Sequence, residues 1–136
     1  MPFESLDQKR AQLAEQKVKT PPSEKYRSIV RNFPAMVQSM GIGQAIAFLM
    51  AKKEDEGHRE LLNHITEWLF KENAVPWKSD PPPNAKEEEK LLQRLLAHES
   101  KVWWVAEREA VEFSIWLKRF AEARTPPKST QAPKEE

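Results

Sequence analysis

Apolar residues recur at steps of three and four along nearly the whole chain, and Val, Ile and Thr nowhere gather into alternating runs. A period of three to four lines up one face of a helix, whereas a half-buried strand needs a period of two. The pattern therefore restricts the chain to all-α folds. Its clearest stripe is Tyr26, Ile29, Val30, Phe33, Met36, Val37 and Met40. That stripe runs through Pro34, which has no N–H for the carbonyl of Val30 and whose ring crowds it. The spacing predicts a kink or a restart at "PAMV". Gly41 stands where a residue of positive φ would stop the segment. Gly43, in the first turn of the next helix, permits a close approach.

The other helices follow from the same period. A first helix spans about residues 4 to 19 with Leu6, Leu13 and Val18 inward, and "TPPSE" ends it with two prolines. Ser23 can cap the second. The third, "IGQAIAFLMAKK", is apolar round its whole circumference from Ala45 to Ala51, which marks a central helix packed on several sides. A fourth, near 57 to 72, turns Leu61, Leu62, Ile65, Trp68 and Leu69 inward and leaves Arg59, Glu60 and Glu67 wet. "NAVPWKSDPPPN" reads as a surface loop. Asn84 with Glu87 three residues on suits a capping box, with the acidic run from Glu87 to Glu89 in the first turn of a helix, where the dipole favours it. The last helix, about 100 to 123, buries Val102, Trp103, Ala106, Ala110, Phe113, Trp116, Leu117 and Phe120. The expectation is a single compact domain of about six helices, a helix bundle over residues 1–124, with a disordered tail over 125–136. A chain of 136 residues with 39% hydrophobic content, five Trp and six Phe can fill one core.

Charge is uneven along the chain although the net value is +1. Residues 1 to 53 carry nine Lys and Arg against four acids, and the remainder carries 13 against 17. A basic half joined to an acidic half suits a polyanion on one side and protein neighbours on the other, while an unevenly charged solvated surface is the plainer explanation. The absence of cysteine excludes disulfides, cysteine-bound zinc and thiol catalysis. The charged start "MPFESLDQKRAQ" lacks the apolar core of a signal peptide, and no apolar run approaches ~18 residues. A soluble, cytoplasmic protein is expected.

Catalytic vocabulary is thin. The six-residue gap between His58 and His64 serves a shared metal poorly, since a helix aligns ligands at three or four. Glu60 and His64 share a face, an arrangement more common as a solvent-facing pair than as half of an active site. No glycine elbow accompanies a serine, and neither a phosphate loop nor a dinucleotide fingerprint is present. No catalytic residue, metal ligand or cofactor is expected.

Cations are more informative. Arg27 and Arg31 are one turn apart on the exposed side of the second helix, with Lys25 near its start. Arg10 and Lys17 lie two turns apart on the first, with Lys9 beside them, and Lys52 and Lys53 close the third. These eight could line one basic groove for a phosphate backbone, a contact blind to sequence. A solvated face that keeps the chain soluble competes for each of them.

The order of motifs carries more than any one of them. "YRSIVRNFPAMVQSMGIGQAIAFLMAK", then "LLNHITEWL", then "WWVAEREAVEFSIWLKRFAEA" resembles the small, all-helical subunit of type III-B CRISPR effector complexes, the fifth subunit of the Cmr family. The resemblance covers about residues 5 to 124; the "NAVPWKSDPPPN" loop and the tail from Thr125 depart from it. It implies a non-catalytic architectural role in an antiviral ribonucleoprotein. Several copies stack into a filament beside the backbone subunits that hold the guide RNA, and line the channel in which target RNA pairs with it. Cleavage belongs to backbone and large subunits. The implied partners are other Cmr subunits, further copies of the chain and the guide–target duplex, with no membrane. A helical protein–protein adaptor that never touches nucleic acid is the rival reading.

Overall fold

In the computed structural model, which describes residues 4–71 and 74–126, six α-helices and one 3-10 turn make up the fold, and no strand occurs among the described residues. They are α1 (Leu6–Lys17), α2 (Glu24–Met40), α3 (Ile42–Ala51), α4 (Glu56–Leu69), the turn Glu87–Glu89, α5 (Lys90–Leu96) and α6 (Ser100–Arg124). Of the expected tail, residues 127–136 lie outside the described part.

Local chemistry starts each early helix. Ser5 accepts the backbone N–H of Gln8 at 3.0 Å while the Gln8 side chain accepts that of Ser5 at 2.8 Å, a reciprocal cap that opens α1. Ser23 opens α2 by accepting the N–H of Tyr26, as its position suggested, and Asp55 opens α4 by accepting that of His58. The predicted box at Asn84 does not form. The acidic run makes the short 3-10 turn ahead of α5, without a side-chain cap, and Glu88 is drawn across to Lys53 at 2.9 Å.

The restart expected at Pro34 is also absent, because α2 continues through it from Glu24 to Met40. Val30, Phe33 and Val37 are buried on both sides of the proline, so packing holds the segment that the missing hydrogen bond would loosen. The chain breaks once, at Gly41, with φ +88° and ψ 161°, a region essentially reserved for glycine. One residue there ends α2, its N–H reaching Val37, and starts α3, its carbonyl accepting from Ala45. At Gly43 an added Cβ would sit 2.7 Å from the Trp103 ring. The close approach predicted for Gly43 is thus to an indole.

As expected, α3 packs on several sides, against α2, α4, α5 and α6, although Gln44, Ala47 and Ala51 stay exposed; the long α6 shares the centre, against α1, α2, α3 and α4. Val102, Ala106, Ala110, Phe113 and Leu117 are buried along α6 as the period required, with Trp103, Trp116 and Phe120 only partly covered. Trp68 of α4 stacks on Phe113 at a centroid distance of 5.4 Å. Leu6 and Met40, placed on inner stripes by the sequence, sit at helix ends beyond their packing partners and are each 39% exposed. The proline-rich loop is tied down: Trp77 donates to the Leu69 carbonyl, and the Arg94 guanidinium lies within 5 Å of both the Phe70 and Trp77 rings.

Candidate nucleic-acid interface

The eight cations do not line one groove. Arg10 is a core residue, 7% exposed. Its Nε and Nη2 donate to the two oxygens of Glu109 at 2.9 and 2.8 Å, and Nη1 donates to Asp7. Glu109, 4% exposed, also accepts the Trp68 indole N–H at 3.0 Å. The hydrogen bonds to Glu109 hold the Arg10 guanidinium even more firmly protonated than usual. The indole N–H of Trp116, and then Arg10, keep the Asp7 carboxyl below the ordinary range. A charge buried with this many partners is committed to the fold, so the exposed placement expected for Arg10 is corrected.

Two more cations are spent across the basic and acidic halves. Lys17 meets Glu67 at 2.6 Å. Lys53 meets Glu88, which raises the ammonium's pKa and lowers the carboxyl's. Folding therefore interleaves the two halves: α1 lies on α6 and the end of α3 beside the acidic turn, and much of the asymmetry seen along the sequence becomes internal pairing.

The other five candidates stay at the surface, four exposed and Arg27 half-buried, and Lys25 has only a long contact to Asp55. Lys25 and Lys52 both border the turn between α3 and α4: Gly57 lies against the backbone of Lys25 and Tyr26, Lys25 Nζ is 3.9 Å from Asp55, and the Asp55 N–H bonds the Lys52 carbonyl. Both side chains are exposed. Lys9 stands apart, beside a shallow cleft with Leu6, Trp68 and Lys71. Arg27, which donates to the Pro22 carbonyl at 3.0 Å, and Arg31 line a cleft of 330 Å³ between α2 and α6 together with Lys118. Lys118 is not among the eight cations singled out from the sequence. Its signal was present, since Lys118 falls on the α6 face that Glu122 and Thr125 continue at steps of four and three.

His64 proves not to be Glu60's partner. Its Nδ1 takes the Tyr26 hydroxyl at 2.7 Å, and the rings meet edge to face. Burial pushes the His64 pKa down to about 4, so the ring is neutral at pH 7, and its Nδ1 and the Tyr26 hydroxyl satisfy each other. Burial likewise raises the Tyr26 hydroxyl and the Glu60 carboxyl. The cluster is a satisfied hydrogen-bonded pair behind a polar surface dent of 190 Å³. Among the described residues no group of three or more His, Cys, Asp or Glu side chains is arranged to hold a metal ion, and no helix is long and apolar enough to cross a membrane.

The fold is shared with a solved structure, the X-ray crystal structure of a CRISPR-associated Cmr5 family protein from Thermus thermophilus. The two are 24% identical, the match covers 90% of this chain and 100% of that one, and the TM-score is 0.69. The family model for CRISPR-associated protein (Cas_Cmr5) matches residues 6–124, which takes in every helix described above. The chain is therefore a member of the Cas_Cmr5 family of CRISPR-associated proteins.

Proposed function

We propose that the chain is the non-catalytic small subunit of a type III-B (Cmr) RNA-guided effector complex in the cytoplasm. Several copies stack beside the backbone subunits and touch the guide–target duplex through its phosphates. The family match over residues 6–124 carries the reading. The satisfied state of the Tyr26–His64 pair supports the absence of a catalytic role, because neither group is left over to activate a nucleophile. The phosphate contacts fall to the cations not spent internally, Lys9, Lys25, Arg27, Arg31 and Lys52. A base-paired guide supplies sequence discrimination, so contacts blind to sequence are what a lining subunit needs.

The test is a reconstituted complex carrying Lys25→Ala/Lys52→Ala, with subunit stoichiometry confirmed by mass. Target-RNA affinity should fall regardless of sequence, and the salt slope should lessen by ~0.7 to 0.9 for each phosphate no longer neutralised. Cleavage rate and products should be unchanged in His64→Ala. An intact assembly with unchanged affinity and slope would favour the rival, a helical adaptor that never meets RNA.

A further inference from the structure

The seam between α2 and α6 carries two unlike ends on one face. Trp104, Val111, Lys118, Glu122 and Thr125 follow one stripe of α6 at steps of three, four and seven, so the whole stripe looks the same way. At its start stands Trp104, 65% exposed, the most exposed large apolar side chain among the described residues. It borders a dent of 310 Å³ with Gln38, Val111, Arg108 and two acids, Glu107 and Glu112. At its other end is the 330 Å³ cleft with Arg27, Arg31 and Lys118, where Glu24 makes no ion pair among the described residues and Glu122 is held by Arg119 at 3.4 Å. One end offers an indole and surplus acid; the other offers a hollow and surplus cation.

The geometry points to a self-complementary surface: two copies pair antiparallel through their α2/α6 faces, Trp104 of each filling the basic cleft of the other. A two-fold axis lying between the two faces, perpendicular to α6 at the level of Glu112 and Phe113, reverses the helix direction between the copies, so each end meets its opposite twice and Trp104 comes opposite Ala121 in the cleft. Under that pairing Glu107 comes opposite Lys118 of the second copy, because the two residues lie equally far along α6 from the axis and at nearly the same angle round the helix. The indole then lies beneath guanidinium groups, a cation–π arrangement that an arginine lacking a carboxylate partner can supply. The middle of the stripe carries no charge to oppose the approach: Val111 is 8% exposed and covered by its own chain, and the partly buried Ile115 adds an apolar contact beside it.

The stripe from Trp104 to Thr125 is about 30 Å long at 1.5 Å per residue. Two helices are roughly 20 Å wide, giving a footprint on the order of 600 Å² per copy, below the ~800 Å² of a standard interface. The pair is therefore a reversible, concentration-dependent dimer of the free chain. It covers Arg27 and Arg31, and it must part before those arginines can meet RNA or another subunit.

The chain has no cysteine, which makes the test direct. The full chain with Glu107→Cys/Lys118→Cys is treated with a short bismaleimide near the concentration at which sedimentation detects association. A product that stops at the dimer is expected, and each single-cysteine variant should stay uncrosslinked. A ladder of higher oligomers would mean head-to-tail contact instead, and an unlinked monomer would mean no such face; either result overturns the proposal. Trp104→Ala, whose side chain is mostly in solvent, should keep the helical circular dichroism and weaken dimerisation by about 30-fold, the loss typical of an aromatic side chain that fills a partner's cleft. Glu107→Lys should also weaken it, and Lys118→Glu added to Glu107→Lys should restore it. If no dimer forms and Arg27→Ala/Arg31→Ala lowers target-RNA affinity in an intact complex, the cleft belongs to RNA. Failure of the unsubstituted chain to enter any complex with guide RNA would count against the subunit reading while leaving the dimer result standing.

Discussion

Arg10→Ala should be among the most damaging single truncations in the protein. The guanidinium makes a two-pronged contact to Glu109 at 2.9 and 2.8 Å, and the side chains are 9% and 5% exposed. Removing it leaves a buried carboxylate with only the Trp68 N–H. Breaking a buried pair from one side costs roughly 3–5 kcal/mol, a large share of the 5–15 kcal/mol by which a domain is stable. For a chain of this size that corresponds to a fall in Tm of about 10–15 °C. The pair itself contributes far less than this, because both charges lost their water on folding. Arg10→Met/Glu109→Leu should therefore recover most of the loss, short of about 1–3 kcal/mol for the Trp68 N–H left without an acceptor. Urea unfolding of the unsubstituted chain, Arg10→Ala and Arg10→Met/Glu109→Leu at pH 7 measures both effects. A loss under ~1 kcal/mol in Arg10→Ala, the value of an exposed pair, would refute the reasoning.

Gly57→Ala should exceed Gly43→Ala in cost, since the new Cβ meets backbone of Lys25 and Tyr26 at 2.6 Å in one case and a movable indole at 2.7 Å in the other. Overpacking of this kind costs typically ~1–3 kcal/mol, and equal urea midpoints would contradict the ranking. His64 titrates near 4 when folded against an ordinary 6.5, so the unfolded chain binds the proton first. Its stabilising effect is whole above about pH 6.5 and is lost by about 2–3 kcal/mol as pH falls toward 4. His64→Gln should flatten that part of the pH profile, although the raised Glu60 slopes the other way in both proteins; an unchanged profile would discard the assignment. His98 accepts the N–H groups of Lys78 and Ser79 on Nε2 and donates from Nδ1 to the Arg94 carbonyl. His98→Phe should keep the ring against Trp77 while speeding hydrogen exchange at those two amides, and unaltered exchange there would show that the histidine does not hold the loop.

The helices are legible because their signals are local. The stripe in α2, the positive φ at Gly41 and the inward residues of α4 and α6 follow from spacing and from the chemistry of one residue. Sequence and structure part where distant segments decide. Nothing near Arg10 indicates that Glu109, ninety-nine residues away, will face it; a charged residue on an apolar stripe with Leu13 and Ala14 is the available hint. The restart, one of the two outcomes expected at Pro34, does not occur because the rule for an isolated helix ignores the packing of Phe33 and Val37. Glu60 is the near neighbour that suggests a pair with His64, and the real partner, Tyr26, lies on another helix.

On the proposed function, the interleaving of the charged halves also bears on how the chain holds RNA. With Arg10, Lys17 and Lys53 engaged inside the molecule, five of the eight cations singled out from the sequence are left for phosphate in one copy, and Lys9 lies apart from Lys25 and Lys52. Two or three contacts per copy give a shallow salt dependence and weak binding. Copies held side by side add their contacts, because each further one binds at the high effective concentration set by its neighbours. On the proposed function, the isolated chain should thus bind RNA feebly while the assembled complex shows a salt slope that grows with the number of small subunits. The steepness of that slope, measured on complexes containing different copy numbers, ties affinity to the few cations that folding leaves over; a slope independent of copy number would place the phosphate contacts on other subunits.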